Sequence, residues 1–295
     1  MARCPVAIGL CLASLITTLA TWYEYVPVAS IDLHPRAFGD QPWRVITCTL
    51  AHARFPAHLI FNAYWLWRFG VHLEARIGSL RMLPLYLLLA AGSMGAQLLL
   101  SSWAIGMSGV IYGLFGLLWV LEQKDERFVG ILGPGTAQML VMWFFLCVFM
   151  TAADVMAVAN VAHGAGALFG WLLGQAVTTQ GARRALFRVA LLVAVFVCAL
   201  ASPLLMPWSN VRAAAWAQRL NGESADAYVE GELEDALASV EGSLRLDPDV
   251  GMYWYNHGLV QWELGERATA LLSFERAVQL SPEEELYQQA LDSRR

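Results

Sequence analysis

Seven stretches of this chain are apolar and long enough to be candidates for crossing a lipid bilayer: residues 5–22, 58–75, 82–102, 108–121, 136–153, 157–177 and 187–206. A spanning helix needs about 20 residues, because a hydrocarbon core about 30 Å thick is climbed at ~1.5 Å per residue. Inside that core each backbone N–H and C=O must find its partner within the protein, which favours helices for runs of this kind. The expected fold class is therefore all-α: a polytopic membrane bundle of seven transmembrane helices. Composition agrees, with 58% hydrophobic and 15% charged residues over 295 positions and a mean hydropathy of +0.50, far from a soluble domain. The first run has the length of a cleavable signal, but Trp22, Tyr23 and Tyr25 after it fit an interfacial aromatic belt better.

The net charge of −5 conceals two unlike parts: residues 1–206 carry twelve Lys+Arg against eight Asp+Glu, and residues 207–295 seven against sixteen. We expect a transmembrane domain over 1–206 and a separate domain over 207–295. The acidic second part and the lack of a basic block exclude nucleic acid as a partner. The five cysteines are scattered and odd in number, a pattern of buried small hydrophobes and not of disulfides or a metal site. No metal or organic cofactor is expected.

The basic residues set the orientation. Arg3, Arg68, Arg76, Arg81, Lys124, Arg127, Arg183, Arg184 and Arg188 gather on one side, and Arg36, Arg44 and Arg54 on the other. The richer side is cytoplasmic. The amino terminus is then inside, and seven crossings put the tail outside. The long connection 23–56, with Pro27, Pro35, Phe38, Pro42, Trp43 and Arg44, is expected to lie in the membrane interface.

Polar residues within apolar helices are costly and point to function. Ser108 precedes Glu122 by fourteen residues, His163 precedes Thr178 by fifteen, and His58 and Asn62 precede Glu74 by sixteen and twelve. On three helices running the same way, all four reach one depth, roughly 18 to 24 Å above the cytoplasmic boundary. The run from Ser108 is too short to cross the core, so it begins inside the membrane, facing protein or water. Gly106 and Gly109 permit the tight entry. Gly109, Gly113 and Gly116 on one helix and Gly166, Gly170 and Gly174 on another allow close contact, bringing the serine to the histidine. A hydroxyl beside an imidazole is the chemistry of acyl transfer through an activated nucleophile. His58 and Asn62, four apart, could donate to an oxyanion beside the Ser108 N–H. Asp154 is a weak candidate for a third member.

Over residues 5–178 the chain resembles the rhomboid intramembrane serine proteases. The resemblance is carried by Trp43-Arg44, His58 with Asn62, Gly70, Glu74 and Gly78, Gly106-Met-Ser108-Gly109 with Tyr112, and Asn160-Val-Ala-His163 with Gly166 and Gly170. It implies Ser108 as nucleophile, His163 as base, His58 and Asn62 at the oxyanion site, and Tyr112 packed on the catalytic histidine. It also implies cleavage of transmembrane protein substrates near the outer face, and a six-plus-one helix arrangement in a bacterial inner (plasma) membrane. His52, ahead of a proline before the motif, departs from the family pattern and has no assigned role. The rival expectation is an inactive rhomboid-like adaptor that binds helices and recruits partners.

In the tail, Gly231, Ala236, Leu246 and Pro248 recur 34 positions later as Gly265, Ala270, Leu280 and Pro282. With Trp254, Gly258, Phe274 and Ala277 this resembles tetratricopeptide repeats, which implies a protein partner for the tail. Residues 284–294 are expected to form a capping helix, and His257 stands where the repeat family has an apolar residue.

Overall fold

The computed structural model describes residues 4–33, 41–101, 104–153, 155–201 and 213–295. Among the described residues it is helical, with no strand. The chain divides into two compact units, Met1–Leu205 and Met206–Arg295.

The first unit is built on α1 (Pro5–Trp22), the short α2 (Arg44–Thr47), α3 (Pro56–Ile77), α4 (Ser79–Leu100), α5 (Ser108–Lys124), α6 (Thr136–Ala152), α7 (Asn160–Thr178) and α8 (Gly181–Val195). A π-helical segment, Phe196–Ala201, continues α8. Each apolar run of the sequence falls on one of these helices, although the seventh continues past Ala201 into residues outside those described. By length and hydropathy, α1 and α4 could each cross a membrane, and α6 is a shorter apolar helix. Prolines start α1 and α3 at the first helical position, where a missing N–H costs nothing.

The core of this unit is the pair α5 and α7, which run parallel at backbone contact. A Cβ added at Gly166 would lie 2.0 Å from Gly109 O, and one at Gly170 1.8 Å from Gly113 O. Any side chain at these positions would force the helices apart, so glycine sets their separation. α4 runs antiparallel against both: Gly92 meets the Phe169 ring, Leu89 faces Gly113, and Ser93 faces Gly109. α6 packs more openly, with Phe61 of α3 stacked on its Trp143 at 5.0 Å.

Three buried charged residues fix the periphery. Glu74 accepts from the Val6 and Ala7 N–H groups at 3.0 and 2.7 Å and from Ser79 Oγ at 2.6 Å. Its carboxylate thus caps α1, where the helix dipole favours negative charge. Arg44 pairs with Asp32 at 3.0 Å and donates to the Asp32 carbonyl at 3.1 Å. That pair folds the first connection onto the segment leading to α5: Leu33 N–H reaches Ala104 O and Gly106 N–H reaches Cys48 O, both at 2.9 Å. The described part of this connection is therefore bonded into the helical unit. Trp43 is exposed while its neighbour Arg44 is buried.

The second unit contains α9 (Ala213–Glu230), α10 (Leu233–Leu246), α11 (Gly251–Glu263), α12 (Arg267–Leu280) and α13 (Glu285–Asp292). α9 packs on α10 and α11 on α12 as helical hairpins, turning at Gly231 and Gly265 with φ of +83° and +86°. A Cβ on Gly258 would lie 2.7 Å from the Phe274 ring, and Ala270, Phe274, Ala290 and Leu291 form a small core.

Candidate active site

The parallel approach of α5 and α7 puts the first turn of one beside that of the other. Ser108 is the first residue of α5, and His163 lies one turn into α7. The glycine contacts bring His163 Nε2 to 2.7 Å from Ser108 Oγ, inside the range of a strong hydrogen bond. The imidazole is 4% exposed and stacks on Tyr112 with centroids 4.7 Å apart. Tyr112 is itself held by donating its hydroxyl to Leu140 O at 2.9 Å. His163 Nδ1 is buried with no protein partner among the described residues, and Asp154 lies outside them.

His58 faces the same spot from α3. Its Nδ1 accepts from the Ala53 N–H at 3.2 Å, which fixes the neutral tautomer with the proton on Nε2. That Nε2–H lies against Gly106, where an added Cβ would sit 2.9 Å from it. Gly106 also has a φ of +103°, so both its backbone and its surroundings require glycine. Asn62 is 1% exposed, but its Nδ2 donates to His58 O at 2.8 Å, and its Oδ1 has no partner among the described residues. The structure thus groups Ser108, His163, Tyr112 and His58, and leaves the Asn62 amide bonded within its own helix. Asn160 turns away: its Nδ2 donates to Thr151 Oγ1 at 2.9 Å, tying the start of α7 to the end of α6.

Two residues with no role expected from the sequence also shape this site. Gln97 of α4, 1% exposed, accepts from the Ala162 N–H at 3.0 Å and so holds the residue before His163. His52, 1% exposed, meets His58 with rings 4.9 Å apart and nearly perpendicular. Burial, with His58 beside it, pushes the His52 imidazole down to about 3, so it is neutral in ordinary buffers. Gln97 is a polar residue inside an apolar run, a signal of the kind that singled out Ser108. A cavity of about 150 Å³ borders His163, lined also by Tyr112, Phe115 and Phe144.

Residues 39–180, which contain Ser108, His163, His58 and Asn62, match the Rhomboid domain family. The chain is similar to the rhomboid protease GlpG of Klebsiella pneumoniae subsp. pneumoniae, at 31% identity over 185 residues, which cover 56% of this chain and 65% of that protein. The likeness to the rhomboid protease GlpG of Yersinia pestis (strain Pestoides F) is 32% over 147 residues, 48% of this chain and 51% of the relative. The chain thus spans about two thirds or less of the length of the curated relatives it matches. The matched family is one of membrane proteins, in keeping with the apolar runs.

Proposed function

We propose that this chain is an intramembrane serine endopeptidase that cleaves transmembrane proteins near the outer membrane face, with Ser108 as nucleophile and His163 as base. The observation that carries the reading is the 2.7 Å approach of Ser108 Oγ to His163 Nε2 within a rhomboid domain. Ser108 Oγ attacks the scissile carbonyl carbon as Nε2 takes its proton. The electron pair moving onto the carbonyl oxygen is met by the Ser108 N–H, which in the first turn of α5 has no intrahelical acceptor, and by the His58 Nε2–H. Asn62 joins them when its amide turns from His58 O. Collapse breaks the C–N bond, His163 returns the proton to the departing amine, and water hydrolyses the acyl ester with the same base. The pair works as a dyad.

The topology proposed with this reading has seven spans, a cytoplasmic amino terminus and the 207–295 unit outside. At 17 residues, α5 is about 25 Å long, so Ser108 starts below the surface of a core about 30 Å thick. The helical hairpins of the second unit, turning at glycines 34 positions apart, support a tetratricopeptide-like domain with a protein partner. The competing adaptor reading leaves Ser108 unreactive.

The test uses the full chain reconstituted in vesicles with a transmembrane reporter. Ser108→Ala is expected to abolish cleavage, and a labelled fluorophosphonate to modify wild-type Ser108. Cleavage that persists unchanged in Ser108→Ala refutes the dyad, and a folded wild type that neither cleaves nor labels supports the adaptor.

A further inference from the structure

The first helix carries a polar stripe that the reaction above does not use. Ser14, Thr18 and Trp22 stand at intervals of four along α1, which places them on one face. Ser14 and Thr18 are fully buried, an expensive choice in an apolar helix unless they are bonded. All three grip one short segment. The Ser14 and Thr18 hydroxyls donate to Leu50 O at 3.0 and 3.2 Å, and each also lies 3.2 Å from His52 Nδ1. Trp22 Nε1 donates to His52 O at 3.0 Å. α1 therefore fixes both the backbone and the ring of His52.

What this segment holds in turn is His58. His52 sets its ring edge-to-face against the His58 imidazole at 4.9 Å, and the next residue, Ala53, donates its N–H to His58 Nδ1. Two successive residues thus determine the plane of the His58 ring and which nitrogen bears its proton. Together they keep Nε2–H turned toward Gly106 and the entrance to Ser108.

We propose that His52 is a positioning residue for the oxyanion donor His58, and that the Ser14–Thr18–Trp22 stripe of α1 is the frame that sets it. The proposal rests on the reading of Ser108 as nucleophile and His58 as donor. Its action is through ring placement, because His52 touches no reacting atom and does not change charge in the working range.

The test is a double-mutant cycle on the full chain, reading kcat and KM for a transmembrane reporter alongside thermal unfolding. His58→Ala is expected to lower kcat about 10²-fold, the scale for losing one oxyanion donor. His52→Ala should lower kcat roughly 10-fold with KM within twofold, as for a misplaced group, and the double variant should be no slower than His58→Ala within threefold, because both act through one ring. A purely structural His52 gives losses that multiply, and that result, or a His52→Ala kcat within twofold of wild type, overturns the proposal. If His52→Ala does not unfold cooperatively, the Ser14→Ala/Thr18→Val pair replaces it in the cycle: non-multiplying losses support the proposal, and multiplying losses or a kcat within twofold of wild type overturn it. Ser108→Ala in the same assay separates the layers: if it cleaves, the nucleophile reading falls; if it is dead while His52→Ala runs at full speed, only this proposal falls.

Discussion

Gly166→Ala offers the sharpest test of how the site is built. The added methyl would sit 2.0 Å from Gly109 O, whereas a carbon and a carbonyl oxygen in contact need about 3.3 Å. The helices must therefore part by about 1.3 Å, and overpacking of this kind costs roughly 1–3 kcal/mol. The Ser108–His163 distance of 2.7 Å would open to about 4 Å if the whole shift reached it, past the limit of a hydrogen bond. A misplacement near 1 Å costs on the order of 10²-fold in rate. The assay is reporter cleavage by the full chain, with the unfolding midpoint measured in the same detergent. Gly164→Ala is the control on the same helix, since its methyl would meet nothing nearer than the Phe144 ring at 3.8 Å. Wild-type kcat and midpoint in Gly166→Ala would show that backbone contact does not set the serine–histidine distance.

Two further outcomes follow from buried polar groups. Gln97→Ala strands the Ala162 N–H in the protein interior, which costs about 1–3 kcal/mol; a denaturation midpoint indistinguishable from wild type would contradict that bond. In the second unit, His257 bonds to Ser273 Oγ at 2.8 Å through Nδ1 and lies 3.4 Å from Gln261 Nε2 through Nε2, a set that suits the neutral ring. Burial lowers its pKa from the ordinary 6.5, partly opposed by Glu241, so the unfolded chain takes up the extra proton. Its contribution to stability is complete above pH 6.5 and is lost as pH falls below it. Hydrogen exchange in α11 and α12, taken relative to the intrinsic amide rate at each pH, should speed up between pH 7 and 5 in the wild type and less so in His257→Gln. Equal acceleration in both rules out this histidine as the cause.

The helices could be read from the sequence because an apolar run in lipid has little choice of secondary structure. Ser108 and His163 could be paired because each stands a countable number of residues ahead of a polar residue at the far end of its run, and glycines at four-residue intervals announced the close approach. What stayed hidden was partnership. Gln97 and Ser14 are single polar residues in apolar runs, and nothing in their neighbourhood names the distant backbone group that accepts or donates. The His52 contact was hidden for a related reason: its position relative to His58 depends on how the chain turns between α2 and α3. Asn62 shows the reverse limit, since a residue at the right spacing along its helix spends its donor on the carbonyl four residues earlier. The Asp32–Arg44 pair likewise depends on a loop fold that alternation and hydropathy do not encode.

The carboxylate of Glu74 has a consequence for biosynthesis. The amides it closes, those of Val6 and Ala7, leave the ribosome 68 and 67 residues ahead of it. At about 5–20 residues per second, α1 waits on the order of ten seconds after its synthesis with its leading end open. During that interval it is a provisional segment, and the arrival of the far end of α3 is the event that commits it to the bundle.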